Sequence, residues 1–286
     1  MQAEQGGGQR SNAAMRNHNA TVREGYVEVN GARLFYVRAG PADAEKIIFI
    51  HGWTEDHTVW SSQIKHFSGS YDVVAYDQRG HGASEKPHDA SLRVLKDDLR
   101  ALIESFGFEK VILVGHSMGG MVALLFTLQH PERVTRLVLA GTSAKPLDTL
   151  FRRVFAAVLG FFVKHAFTLV AYLATRRAFY RADRRMKRAA FERARRTSST
   201  TAHRLLTEIA RLDLRAELPK ITQRTLVIVG EKDRTTPVRM SRLLAERIEN
   251  AELHVIPEAK HVVMMDQPER FNAALEAFLH AAGSEP

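Results

Sequence analysis

Val111-Ile112-Leu113-Val114-Gly115-His116-Ser117-Met118-Gly119-Gly120 is the stretch that decides the fold. Its four leading apolar residues read as a short strand buried on both faces. Met118 to Gln129 then reads as a helix. That helix stops at His130-Pro131, because proline disfavours helix at the residue before it. Gly115, Ser117 and Gly119 fit G-x-S-x-G between the strand and the helix, the context this motif requires. The serine there occupies a tight, strained turn, and a side chain at Gly115 or Gly119 would crowd neighbouring backbone. Such a turn lifts the Ser117 hydroxyl above the carboxyl end of a sheet, where ligands of open α/β sheets bind.

Working outward, the same alternation recurs. Tyr26–Asn30 and Arg33–Val37 form a predicted hairpin around Asn30-Gly31. Lys46–Ile50, Tyr71–Tyr76 and Arg136–Ala140 read as further strands. Leu92, Leu95, Leu99, Leu102 and Ile103 fall at helical spacing. Thr225–Val229, a helix near Val238–Ile248, Glu252–Ile256 and a helix over Pro268–His280 resume the pattern near the end. Strands alternating with helices specify an α/β fold with a mostly parallel sheet covered on both faces.

From about Ser143 to Leu218 no strand is apparent, and apolar and basic residues mix at helical spacing. This predicts a helical cap or lid, 143–218, between two parts of one core, 25–142 and 219–286. Residues 1–24 are polar and carry a Gly6-Gly7-Gly8 run, and they read as a flexible tail. They show no apolar segment after a basic start, so the expected location is the cytoplasm.

A serine hydroxyl is a weak nucleophile without a base beside it. Proteins built on this turn place serine, acid and histidine in that chain order. Asp233 follows a predicted strand, and His261 follows the next one. Both loops fall on the sheet edge that carries Ser117. His261 is thus the expected general base and Asp233 the acid that fixes its tautomer. Glu231 shares the Asp233 loop and is the alternative acid. His254 lies within a strand pattern and reads as a structural histidine. His116 is the variable position of the motif and is expected to pack beneath it. The backbone N–H groups of Trp53 and Met118 are the expected oxyanion donors.

Here the residues resemble a family. His51-Gly52-Trp53, Asp77-Gln78-Arg79-Gly80-His81-Gly82, Gly115 to Gly120, Gly230-Glu231-Lys232-Asp233 and the stretch from His261 to Phe271 are similar to the α/β-hydrolase superfamily. The closest resemblance is to its capped serine esterases, enol-lactonases and carbon–carbon bond hydrolases. It implies a sheet of about eight strands, a helical cap above Ser117, and a structural rather than catalytic role for Asp77. Epoxide hydrolases and haloalkane dehalogenases of this superfamily place Asp where this chain has Ser117, which argues against those activities. The implied reaction is hydrolysis of a carboxylic ester with an apolar acyl group. Carbon–carbon or enol-lactone cleavage by the same triad is the alternative, and a non-catalytic binding module is a third reading.

Composition narrows the rest. Cysteine is absent, which excludes disulfides, thiolate metal sites and a cysteine nucleophile. No metal-site, P-loop or dinucleotide pattern occurs in its required context, so no cofactor is expected. The chain carries a net +9, yet residues 151–215 hold 16 Lys and Arg against four acids, so the rest sums to −3. The basic character belongs to the insert. Such a face is ordinarily solvated, and the sharper reading is peripheral contact with an anionic membrane. Lys164-His165 divides the apolar runs Val154–Val163 and Ala166–Ala174, so neither approaches a spanning length. Nucleic acid is not an expected partner, because the basic segment lacks aromatic interleaving.

Overall fold

The computed structural model describes residues 21–146 and 149–281. Most of the predicted tail lies outside the described residues. The first strand, β1, begins at Arg23, just inside the expected tail boundary.

Eight strands form one sheet: β1 (Arg23–Val29), β2 (Ala32–Ala39), β3 (Lys46–Ile50), β4 (Asp72–Tyr76), β5 (Val111–His116), β6 (Val134–Ala140), β7 (Arg224–Gly230) and β8 (Ala251–Ile256). Their order is β1-β2-β4-β3-β5-β6-β7-β8. β1 and β2 pair antiparallel through a turn in which Asn30 (φ 46°) and Gly31 (φ 71°) are both left-handed, as a tight hairpin demands. β2 also meets β4 antiparallel. All the remaining pairs are parallel.

Alternation along the strands builds two cores. On β3, Ile48 and Ile50 face one cluster, while Ile47 and Phe49 face the other. The first cluster is closed by α2 (Leu92–Ser105), α3 (Met118–Gln129) and α8 (Val238–Arg247). The second is closed by α1 (Ser61–Phe67), α9 (Val263–Asp266) and α10 (Pro268–His280). Burial on both faces explains why β3, β5 and β7 read as continuous apolar runs. α2 starts where the Ser91 side chain accepts from the Val94 N–H, a standard N-cap.

Four helices replace the βα alternation between β6 and β7: α4 (Leu150–His165), α5 (Phe167–Ala178), α6 (Arg184–Arg195) and α7 (Ser199–Arg211). The break between α4 and α5 falls at Ala166, beside the charged pair Lys164-His165. No helix among the described residues is long and apolar enough to cross a membrane.

The Asp77 to Gly82 turn after β4 is held by buried charge. Arg79 pairs with Asp98 of α2 through two bonds, Nε to Oδ2 at 2.7 Å and Nη2 to Oδ1 at 2.8 Å. Asp77 accepts from the His57 and Ala83 N–H groups and from His57 Nδ1. The Asp77 carboxylate is thus fully engaged in shaping this turn.

Candidate active site

Ser117 sits between β5 and α3 with φ 51° and ψ −115°. This region is costly for a side chain with a Cβ and marks stored strain. The turn is over-determined by its surroundings. The Ser117 N–H donates to the Ala140 carbonyl, and the Ser117 carbonyl accepts from Gly120 N, Met121 N and Thr142 Oγ1. A Cβ on Gly119 would lie 2.2 Å from the Ile50 carbonyl oxygen, and one on Gly115 would lie 2.5 Å from the Gly119 oxygen. The crowding expected from the sequence therefore involves backbone that cannot move aside.

Two further loops at the same sheet edge reach Ser117. His261, after β8, brings Nε2 to 3.1 Å from Ser117 Oγ. Its Nδ1 lies 2.9 Å from Oδ2 of Asp233, which follows β7. With Nδ1 donating to the carboxylate, Nε2 is left to accept the Ser117 proton. Asp233 also accepts from Thr235 N, Thr236 N and Thr236 Oγ1. Burial works against the Asp233 charge, but His261 and the Thr236 bonds outweigh it and hold the carboxyl below its usual range. Burial likewise disfavours the His261 cation, yet Asp233 first, then Glu55 and Asp266, raise it above its ordinary value.

The alternatives fall elsewhere. Glu231 is exposed and pairs with Lys232. His254 is exposed on the edge strand β8, which corrects the expectation of a structural, internally bonded histidine. Its strand has no outer neighbour to cover it. His116 does pack beneath the turn, fully buried.

Sequence reasoning missed what His116 touches. Its Nδ1 lies 2.9 Å from Glu55 Oε2, and its Nε2 lies 2.9 Å from the His261 carbonyl oxygen. Both nitrogens thus face oxygen acceptors. Glu55 Oε2 also accepts from the Gly52 N–H at 2.7 Å. Burial penalises the Glu55 charge, but His116, the Gly52 bond and His261 together bring its pKa down to about 2. One largely buried Glu55–His116 contact thus ties the His51-Gly52-Trp53 loop to the backbone of the histidine loop. Thr236 was also missed; its only signal is a hydroxyl three residues after Asp233.

Among the described residues, neither the Trp53 nor the Met118 N–H donates to a protein acceptor. The Trp53 side chain is committed elsewhere: Nε1 donates to the Ala202 carbonyl of α7 at 2.9 Å. Asp266 accepts from Lys260 N and Tyr180 N, tying the His261 loop to the insert, and Pro268 opens α10.

For a metal, Asp56, His57 and Asp77 bring ligand-type atoms within 4.8 Å of one another. Their oxygens already accept from Thr58 N, His57 N and Ala83 N, which is the bonding of a structural turn.

Residues 46–268 match the model of the alpha/beta hydrolase fold family. 3-oxoadipate enol-lactonase 2 of Acinetobacter baylyi is 29% identical over 86% of this chain and 92% of its own length. A local match to epoxide hydrolase 1 of Caenorhabditis elegans reaches 40% identity but spans 40% of this chain and 29% of that one. A thermophilic esterase from Thermogutta terrifontis is 26% identical with a TM-score of 0.80, over 90% of this chain and 98% of its own. The family match runs from the start of β3 to the start of α10, the whole frame that carries the serine turn and both partner loops. The chain is therefore a hydrolase belonging to the α/β-hydrolase fold family.

Proposed function

We propose that the protein hydrolyses a carboxylic ester through an acyl-enzyme on Ser117. The carrying observation is the unbroken relay Ser117 Oγ to His261 Nε2 and His261 Nδ1 to Asp233 Oδ2. His261 takes the Ser117 proton as Oγ attacks the ester carbonyl. Asp233 holds the imidazole tautomer and offsets the imidazolium charge. The N–H groups of Trp53 and Met118 receive the developing oxyanion, a term of about 10²–10³ in rate per donor. The imidazolium then returns its proton to the departing alkoxide, leaving the acyl group on Oγ. A water, deprotonated by His261, releases the acid and regenerates Ser117.

The four-helix insert acts as the cap in this reading. Val163, Val170 and Ala202 form an apolar cluster with Leu159, Phe167 and Leu206 against Trp53. An apolar underside beside the oxyanion loop favours an apolar acyl group over a charged one. Hydrolysis of p-nitrophenyl esters from acetate to decanoate tests this. Turnover should rise beyond acetate and vanish in Ser117→Ala. Equal rates across the series would remove the acyl preference.

The relative from Acinetobacter baylyi favours a second reading, an enol-lactone as the ester cleaved by the same groups. Turnover of an enol-lactone with no turnover of any linear ester would select it.

A further inference from the structure

Nine large apolar side chains stand exposed among the described residues, and six of them lie on α4 and α5. They are Val158, Phe161 and Phe162 on α4, and Leu169, Tyr172 and Leu173 on α5. Within each helix the spacing is i, i+3, i+4, which stacks all three on one face. Phe161 is 61% exposed and Leu169 is 55% exposed, and the other four are 43–51% exposed. The opposite faces are already used: Val163, Val170 and Ala171 are buried. Both helices are thus apolar towards the core and apolar again towards solvent.

Charge accompanies this outer face. His165 follows the α4 stripe at i+7 and Arg176 follows the α5 stripe at i+7, both exposed, and Lys164 and Arg177 stand beside them. Arg176 donates to the Tyr172 hydroxyl at 2.6 Å and lies over its ring at 5.3 Å. That is the posture of a cation reaching from an apolar surface towards a polar layer. No Asp or Glu occurs between Leu150 and Ala182. Next in the chain, α6 exposes Arg184, Arg185, Arg188 and Arg195.

Contiguous apolar patches on soluble proteins mark something they meet. A second copy would bring another insert of the same +12 charge against this one, and like charges oppose that pairing. A nucleic acid would match the cations but leave the apolar stripes in water. We propose that the outer face of α4 and α5 docks on an anionic lipid bilayer, with the six apolar side chains entering the interfacial layer while Lys164, Arg176 and Arg177 meet headgroup phosphates. The helices lie in the plane of that surface and do not cross it.

Flotation of the full chain with vesicles of phosphatidylcholine alone, and of phosphatidylcholine mixed with phosphatidylglycerol, tests this directly. The wild type should float with the anionic vesicles, and binding should weaken as salt is raised. Arg176→Glu/Arg177→Glu should weaken it by roughly 25-fold or more, since each basic residue near such a surface is worth about a fivefold gain. Phe161→Asp/Leu169→Asp should abolish it, with the milder Phe161→Ser/Leu169→Ser as a second variant. Thermal unfolding of each variant should match wild type, because the altered side chains face water. Failure of the wild type to float with anionic vesicles overturns the proposal. So does unchanged flotation of either apolar variant. Sedimentation velocity showing a wild-type dimer that the apolar variants lose would assign the face to a second copy instead.

Discussion

Replacing Glu55 by glutamine removes one charge and almost no volume. Placed where Oε2 stands, the glutamine oxygen can still accept from both Gly52 N and His116 Nδ1, but it carries no charge. The Glu55 pKa falls from an ordinary 4.5 to about 2 in the fold, so the charged form contributes roughly 3 kcal/mol at neutral pH. At about 2 °C per kcal/mol for a chain of this length, Tm should drop by about 6 °C at pH 7. The sign in pH follows from the depressed value. The stabilisation is complete above the unfolded pKa, and it is lost as pH falls through the folded one. The gap between wild type and Glu55→Gln should stay constant from pH 7 to about 5 and narrow below that. Circular dichroism melts at pH 7, 5, 4 and 3.5 measure it. A Tm within 1 °C of wild type at pH 7, or a gap that does not narrow in acid, refutes the assignment of a stabilising Glu55 carboxylate at this place.

Other consequences are as direct. In the proposed mechanism only neutral His261 accepts the Ser117 proton, and its pKa is raised in the fold, so kcat/KM should rise with pH through a midpoint above 6.5. Asp233→Asn should shift that midpoint down and lower kcat by about 10⁴, the loss known for an asparagine at this place in a triad. Asp98→Ala strands the Arg79 guanidinium, whose side chain is 2% exposed, and should cost about 3–5 kcal/mol, or ~6–10 °C in Tm. A loss under 2 °C would show that Asp89 and the Asn30 carbonyl suffice. Gly119→Ala places a Cβ 2.2 Å from the Ile50 oxygen, so the variant should be inactive or insoluble, and full activity would contradict the close approach described.

The frame was legible because its strands are buried on both faces. β3, β5 and β7 have no polar face to blur their signal, and each ends where a loop residue of the site begins. The Ser117 turn was legible for a different reason, since two glycines are required where backbone meets backbone. α1 went unread: seven residues, Ser61–Phe67, mix Gln, Lys and His with two core residues, too short a span for periodicity to stand out. The insert gave helices without boundaries, because apolar residues on both faces of α4 and α5 erase the amphipathic pattern that locates a helix. Glu55 and Thr236 were invisible for want of contact information. Glu55 lies 61 residues from His116, and nothing local marks it as that residue's partner. His254 was misread because strand periodicity does not reveal that β8 is the edge of the sheet.

In the proposed mechanism Ser117 carries an acyl group during turnover. Rapid mixing with a slow-leaving p-nitrophenyl ester, acid quench and mass analysis of the peptide containing Ser117 tests this most directly. A burst of about one p-nitrophenol per active site, an added acyl mass on Ser117, and loss of both in Ser117→Ala are expected. Steady turnover with no burst and no mass gain in the wild type, or turnover that persists in Ser117→Ala, would contradict it.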